Sequence, residues 1–304
     1  MKLTKTREQL VQMYIDSLKE SQLPWRRRWN NGTNINGITK VEYKGVNQLL
    51  LTLVAANEQY QDPRWLTYIQ IKQKEYKLVN AKGKGVPIEF WSVYDLKNKK
   101  KISFLDYEKI IEQNPNDKVN YRVICRTTMV FNAAHIEGIP KLQSNNNNMK
   151  NIVIPKFITN LIHNFGVKYS EHGNRAFYRP STDEIVLPPK DKFVDEYSYY
   201  ATQLHELCHS TGNEKRLNRN LCSKNDGDYA REELIAEISS SFLMQKLNID
   251  VKAEHYDNHK TYIQSWISTL ENKPGELFKA INESNRVCDY IDKHCKEKTK
   301  NYER

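Results

Sequence analysis

The stretch that most restricts the fold is His205-Glu206-Leu207-Cys208-His209, followed after a short loop by Glu232-Glu233-Leu234-Ile235-Ala236-Glu237. Residues four apart on a helix stack on one face, so His205 and His209 can offer two imidazoles to one metal ion at about 2.0–2.1 Å. Glu206, one position on, points to the side, where a carboxylate serves as general base toward an attacking water. Such a centre needs a third protein ligand and an open position. Tyr197, Tyr200, Ala201, Leu204, Leu207 and Cys208 form an apolar stripe at helical spacing, with the two histidines at its edge. Gly212 is the expected helix stop.

A second helix is expected from near Tyr229 to about Leu247. Leu234, Ile235, Ala236, Ile238, Phe242, Leu243, Met244 and Leu247 make it apolar nearly all round, the pattern of a buried helix. Carboxylates on such a helix need partners, because an unpaired buried charge is very costly, and a dication supplies one. Glu233 and Glu237, four apart on one face, are the candidates for the third ligand. One would bind the ion while the other orients a ligand histidine. Glu232 points elsewhere and ranks third. Two histidines and one carboxylate are typical of Zn²⁺, with Mn²⁺ or another divalent ion as the alternative. His255 and His259 are also four apart and are read as a solvated helix face.

The charge is asymmetric. Residues 1–143 hold 24 Lys and Arg against 14 Asp and Glu, which is the whole net charge of +10, and the remainder is neutral. A basic binding module joined to a neutral one is expected. No apolar run approaches the ~18–20 residues that span a bilayer, and Met1 to Leu18 lacks the apolar core of a signal peptide, so no membrane association is expected. Five cysteines at irregular spacings do not form a disulfide framework and fit a reducing, cytoplasmic setting. Cys208 reads as a small buried residue.

Leu10, Val11, Tyr14, Ile15 and Leu18 predict an amphipathic first helix that ends before Pro24. Trp25-Arg26-Arg27-Arg28-Trp29 then places three arginines between two tryptophans, the phosphate-neutralising and base-stacking groups of a single-strand binder. Its plainer alternative is two core tryptophans with solvated arginines. Lys44-Gly45-Val46-Asn47 leads into a helix over 48–57, Arg64-Trp65 repeats the Arg-Trp pairing, and Lys82-Gly83-Lys84-Gly85 is a basic turn. Lys44, Asn47, Arg64, Trp65, Lys82 and Lys84 join the candidate nucleic-acid contacts. Residues 87–94 and 121–131 read as strands, with a basic loop at Lys97 to Lys101 between them. The run Asn145 to Asn148 marks a linker. A helix follows over 154–165, then short strands at Phe177-Tyr178 and 183–188, and helices around Trp266 and Ile281. The strand ending at Leu187 is expected to be the sheet edge beside the site, open to a peptide added as a further strand. The expected class is thus α+β: a basic α+β nucleic-acid-binding domain over 1–143, a linker over 144–150 and a mostly helical metal-site domain over 151–304.

These pieces, in this order, resemble the ArdC-type antirestriction proteins of plasmids and other mobile elements. The resemblance rests on Pro24-Trp25 with Trp29, Tyr43-Lys44-Gly45-Val46-Asn47, Asp62-Pro63-Arg64-Trp65-Leu66-Thr67, Lys82-Gly83, Val130-Phe131-Asn132 and Glu137-Gly138. It continues through Ala176-Phe177-Tyr178, Asp183, Ile185, Leu187-Pro188, Tyr200, His205 to His209, Thr211-Gly212, Arg216-Leu217 and Tyr229 to Glu237. It implies a single-stranded-DNA-binding N-terminal domain fused to a zincin-like metallopeptidase domain, in a family associated with protecting incoming DNA from host restriction; the basic domain is expected to hold the strand with little sequence preference. The metal role maps onto His205 and His209 and the catalytic role onto Glu206. Zincins with a glutamate ligand (gluzincins) use the first carboxylate of an E-x-x-x-D/E pair, which selects Glu233 as ligand and leaves Glu237 behind it. Two departures stand out: the G-x-x-Y turn lacks its glycine at 39–43, and Asn213 replaces a common histidine.

The expected function is therefore a zinc-dependent peptidase with a single-stranded-DNA-binding domain. An oxyanion donor is also needed, with Tyr229, Tyr256 and Arg231 eligible by type. Two alternatives belong to other classes: a non-catalytic DNA-coating protein with a structural or vestigial metal site, and an accessory module of replication or priming. Retention of Glu206 argues against the first, because a structural site has no need of a base.

Overall fold

The computed structural model describes residues 3–19, 32–102, 104–142, 150–221, 226–249 and 260–296. Trp25 to Trp29, the asparagine run, His255, Tyr256 and His259 lie outside the described residues. In chain order the first half comprises α1 (Lys5–Lys19), β1 (Ile35–Asn36), α2 (Gly45–Glu58), β2 (Arg64–Thr67), α3 (Tyr68–Gln73), β3 (Lys77–Leu78), β4 (Val86–Asp95), β5 (Lys100–Ile102), α4 (Phe104–Gln113), β6 (Tyr121–Asn132) and β7 (Ile136–Glu137). The second half comprises α5 (Lys150–Phe165), β8 (Lys168–Glu171), β9 (Phe177–Arg179), β10 (Glu184–Leu187), α6 (Glu196–Ser210), α7 (Asp226–Leu247), α8 (Lys260–Asn272) and α9 (Gly275–Lys296). The class is α+β, and no described helix is long and apolar enough to cross a membrane.

The chain divides into two compact units, and the division does not follow the sequence boundary expected at 143. One unit takes residues 1–35, 40–63 and 140–304; the other takes 36–39 and 64–139. The reason lies in α1 and α2, whose apolar faces need helical partners. Leu10, Tyr14 and Leu18 of α1 are buried as their spacing predicts. Lys19 Nζ bonds Glu271 of α8 at 2.8 Å, and the Arg7 guanidinium lies 4.6 Å from the ring centre of Phe278 on α9. On α2, Gln48 donates to Gln245 of α7 at 2.6 Å in a buried setting. Gly45 opens α2 with φ +57°, and a Cβ there would meet Asn285 Nδ2 of α9 at 2.4 Å. Its close approach is thus to a helix of its own unit.

In the helical unit α7 is central, as its all-round apolarity requires: Leu234, Ile235, Ala236 and Ile238 are buried, and so are Ser239, Ser240 and Ser241. Ser239 Oγ donates back to Ile235 O at 2.6 Å, and the Trp266 indole of α8 donates to Ala230 O at 2.9 Å. A three-stranded sheet, order β8-β10-β9, lies beside α6. β10 pairs parallel with β8 and antiparallel with β9. The expected edge strand at Leu187 is therefore the centre of its sheet, and β8 and β9 are its edges. Lys168 to Glu171, too short and polar to signal a strand, supplies the partner that covers β10.

The other unit is built on a five-stranded sheet, order β1-β2-β6-β4-β5. β4 and β6 pair antiparallel over ten residues, from Val86↔Val130 to Asp95↔Tyr121. Leu66, Ile71 and Ile136 form a small core with Phe131, Tyr76 and Leu78 around it. A capping box at Thr67 and Gln70 fixes the start of α3. Of the basic stretch expected as a loop over Lys97 to Lys101, only Lys97 to Lys99 lie in the turn after β4; Lys100 and Lys101 belong to β5 and pair with Asp95 and Tyr94.

Candidate metal centre

Asp195 starts α6 by accepting a hydrogen bond from Ser198 N at 2.7 Å, which fixes the helix that carries the histidines. His205 and His209 lie one turn apart with their Nε2 atoms 3.1 Å from each other. Glu233 of α7 completes the triangle, with Oε2 3.6 Å from His205 Nε2 and Oε1 3.5 Å from His209 Nε2. Ligands at 2.0–2.1 Å on a tetrahedral ion stand about 3.3 Å apart, and the three separations are of that size, with one Glu233 oxygen toward each histidine. Among the described residues this is the group placed to hold a metal ion.

The outer nitrogens are also engaged. His205 Nδ1 lies 3.5 Å from Glu237 Oε2, and His209 Nδ1 lies 3.2 Å from Glu232 Oε1. Glu237 therefore stands behind His205, on the side away from Glu233, as its spacing from Glu233 allows. Glu232 does not point elsewhere as its sequence position suggested. It buttresses His209 and is gripped by Arg219, whose Nε and Nη2 reach its two oxygens at 2.9 and 2.7 Å. Arg219 also bonds Thr211 Oγ1 at 2.7 Å and Cys208 O at 2.9 Å. Sequence reasoning missed Arg219, which sits in an irregular loop without helical spacing to the motif. Gly212 is its indirect trace. The cap of α6 is Thr211 in right-handed conformation, so Gly212 is not a left-handed stop. A Cβ at 212 would lie 2.6 Å from Leu221 Cδ2 and 3.1 Å from Arg219 Nη2, so the glycine leaves room for the loop that grips Glu232.

Glu206, Glu232, Glu233 and Glu237 are all buried, with Arg219 the fixed positive charge against them. Burial disfavours the imidazolium forms, yet the carboxylates of Glu233, Glu232 and Glu237 outweigh it: His205 is raised well above its ordinary value and His209 to about 9. Burial likewise raises Glu233, but the two histidines hold it far below the usual carboxylate range. Burial pushes Glu206 up, partly offset by both histidines and a hydrogen bond from the Tyr178 backbone. This surplus of buried negative charge is what a divalent cation neutralises. The donor set, two imidazoles and a carboxylate, suits that ion chemically as well as geometrically.

Tyr178 belongs to edge strand β9, which is thereby tied to Glu206. Its hydroxyl is placed by Asp183, which accepts from it at 2.8 Å, and by Asn213 Nδ2, which donates to it at 2.9 Å. Arg216 links this group to the fold through Asp183, Ser210 O at 2.6 Å and Phe165 O at 3.1 Å. Asn213, which replaces the family's common histidine, thus has a structural task. Of the oxyanion candidates, Arg231 is engaged with Glu276 and Asp228, while Tyr229 stands exposed one turn before Glu233.

The candidate nucleic-acid contacts are dispersed. Trp65 is 0% exposed and Arg64 is buried, so neither is available to stack or to meet phosphate. Both belong to β2, in which Arg64, Trp65 and Leu66 are all buried. Lys44 is exposed and pairs with Asp289 at 2.6 Å. Asn47 is half-buried on α2, Lys82 is exposed and Lys84 half-buried in the turn before β4.

Residues 4–131 match the family model of the N-terminal domain of anti-restriction factor ArdC, and residues 156–283 match that of a zincin-like metallopeptidase. The chain is an ArdC-type protein. It is 24% identical to the antirestriction protein ArdC of plasmid R388 in a metal-free structure, with a TM-score of 0.72 over 96% of this chain and 98% of that one. A Mn(II)-bound structure of the same protein gives 25% identity and a TM-score of 0.71 over the same shares. The chain is also 33% identical over 295 residues to a DNA primase TraC of Escherichia coli, covering 93% of this chain. It spans only 27% of that primase, and 20% of a second TraC of the same species. An uncharacterized protein, y4eC, of Sinorhizobium fredii is 26% identical over 296 residues, 93% of this chain and 90% of its own length.

Proposed function

We propose that the chain is an antirestriction protein of a mobile genetic element that binds single-stranded DNA and cleaves a protein substrate at a Zn²⁺ centre. The observation that carries the peptidase reading is the triangle of His205 Nε2, His209 Nε2 and Glu233, with Glu206 buried beside it. His205, His209 and Glu233 would hold the ion, and Glu232 and Glu237 would fix the histidine rings. A bound divalent metal polarises the scissile carbonyl and acidifies the attacking water. Glu206 takes the proton of that water and delivers it to the leaving amine. A substrate strand adds along the open side of β9, next to Glu206. The basic excess of the N-terminal half supports binding of DNA with little sequence preference.

The test is metal content by elemental analysis on protein purified without a nickel column, together with protection of incoming DNA. Wild type and Glu206→Gln should each carry about one metal ion, and His205→Ala should carry none. Glu206→Gln should lose protection while still binding DNA. Full protection by Glu206→Gln would instead establish a DNA-coating protein with a vestigial site. Absence of metal from the wild type after zinc is added back would sink the peptidase reading.

The similarity to part of the TraC primases favours a second reading, an accessory module of replication or priming. It requires that the chain stimulate primer synthesis by a primase in trans.

A further inference from the structure

The strand pair β4–β6 leaves an unusual face uncovered. In its antiparallel register Phe90 stands opposite Arg126, and Tyr94 opposite Arg122, with Ser92 opposite Ile124 between them. Residues two apart share a face, so these pairs lie on the same side of the sheet, about 13 Å apart along the strands. β5 adds a third member to the second row, because Lys101 pairs with Tyr94 from the other side. The face therefore reads Phe90-Arg126, then Arg122-Tyr94-Lys101.

Phe90 is 51% exposed in mid-strand, and Arg122, Arg126 and Lys101 are exposed around it. Among the described residues none of these three cations has a carboxylate partner. The acids of β4, Glu89 and Asp95, have the opposite parity: Glu89 accepts the Trp91 indole at 3.0 Å, and Asp95 caps the β4–β5 turn through Asn98. Paired ladder rows of aromatic and cation, free of acid, are what a single strand needs for base stacking with phosphate neutralisation alongside. Its charge complements the ligand, since this unit holds 14 Lys and Arg against 8 Asp and Glu.

We infer that this face is the platform for single-stranded DNA: bases stack on Phe90 and Tyr94, and phosphates lie against Arg126, Arg122 and Lys101. None of these five was among the sequence candidates. The inference rests on the reading that the chain binds single-stranded DNA and adds where it does so.

The experiment uses the full chain and a fluorescein-labelled single-stranded oligonucleotide, with anisotropy measured over a series of salt concentrations. Phe90→Ala should lower affinity tenfold or more and leave the salt slope unchanged, with Phe90→Trp restoring it. Arg126→Ala and Lys101→Ala should each reduce the slope by about 0.7, the increment for one phosphate neutralised on a single strand. Lys192→Ala, an exposed lysine of the other unit, should change neither. Wild type that binds while Phe90→Ala stays within twofold and Arg126→Ala keeps its slope would overturn the platform and leave the binding reading standing. Wild type that does not bind the oligonucleotide at all would overturn both.

Discussion

His209 Nδ1 faces Glu232 Oε1 at 3.2 Å, and Arg219 holds both oxygens of that carboxylate. With Nε2 turned to the centre, Nδ1–H donates to Glu232, which fixes both tautomer and ring angle. Glu232→Gln should therefore weaken metal binding about 10–100-fold without changing its stoichiometry. Competition against a chelator of known affinity measures this. Unchanged affinity would show that Glu232 only fills space.

Glu233 and Glu237 occupy the same helix face but do different things. Glu233 reaches both Nε2 atoms, whereas Glu237 faces His205 Nδ1. Elemental analysis should find metal absent from Glu233→Gln and retained, at lower affinity, by Glu237→Gln. The reverse result would exchange their roles.

The grouping of His205, His209 and Glu233 was legible because helical spacing is strict: the two histidines and the pair Glu233 and Glu237 announce their faces by number alone. Glu232 and Arg219 were not legible. Glu232 acts from a neighbouring face of α7 that only the α6–α7 packing brings to His209, and Arg219 acts from a loop whose path no periodicity encodes. The long strands β4 and β6 and most helices could be read from pattern, while β8 could not, since four polar residues carry no alternation of apolar side chains. The same limit applied to Trp65. Composition showed an Arg-Trp pair, but burial depends on neighbours that pair with β2 from far along the chain.

That burial gives Trp65 a distinct prediction. Trp65→Ala should destabilise the fold by about 3–5 kcal/mol, the usual cost of deleting a buried tryptophan. Chemical denaturation reads the loss directly. At a temperature where the variant remains folded, its DNA affinity should stay within twofold of wild type. A large loss of affinity with unchanged stability would return Trp65 to the binding surface.

Asp183 and Arg216 make the acid-sensitive contact beside the site. Burial alone would raise the Asp183 carboxyl, but hydrogen bonds from Arg216 and Tyr178 prevail and hold it below its ordinary value. A carboxyl depressed in the folded state contributes stability that is complete above its unfolded pKa of about 3.9 and fades as pH falls through the folded value. Asp183 has φ +51°, a conformation asparagine tolerates, so Asp183→Asn removes the charge without backbone strain. Arg216 is nearly fully buried, and its lost counter-ion should cost on the order of 3 kcal/mol at pH 7. Urea melts of both proteins at pH 7, 5 and 3 should show a gap that is equal at the two higher values and narrower at pH 3. Asp183 and Asn213 together hold the Tyr178 hydroxyl, and the Tyr178 backbone bonds Glu206, so the variant should also lose peptidase activity beyond its loss of stability. A gap that widens in acid would remove the ion pair as the cause.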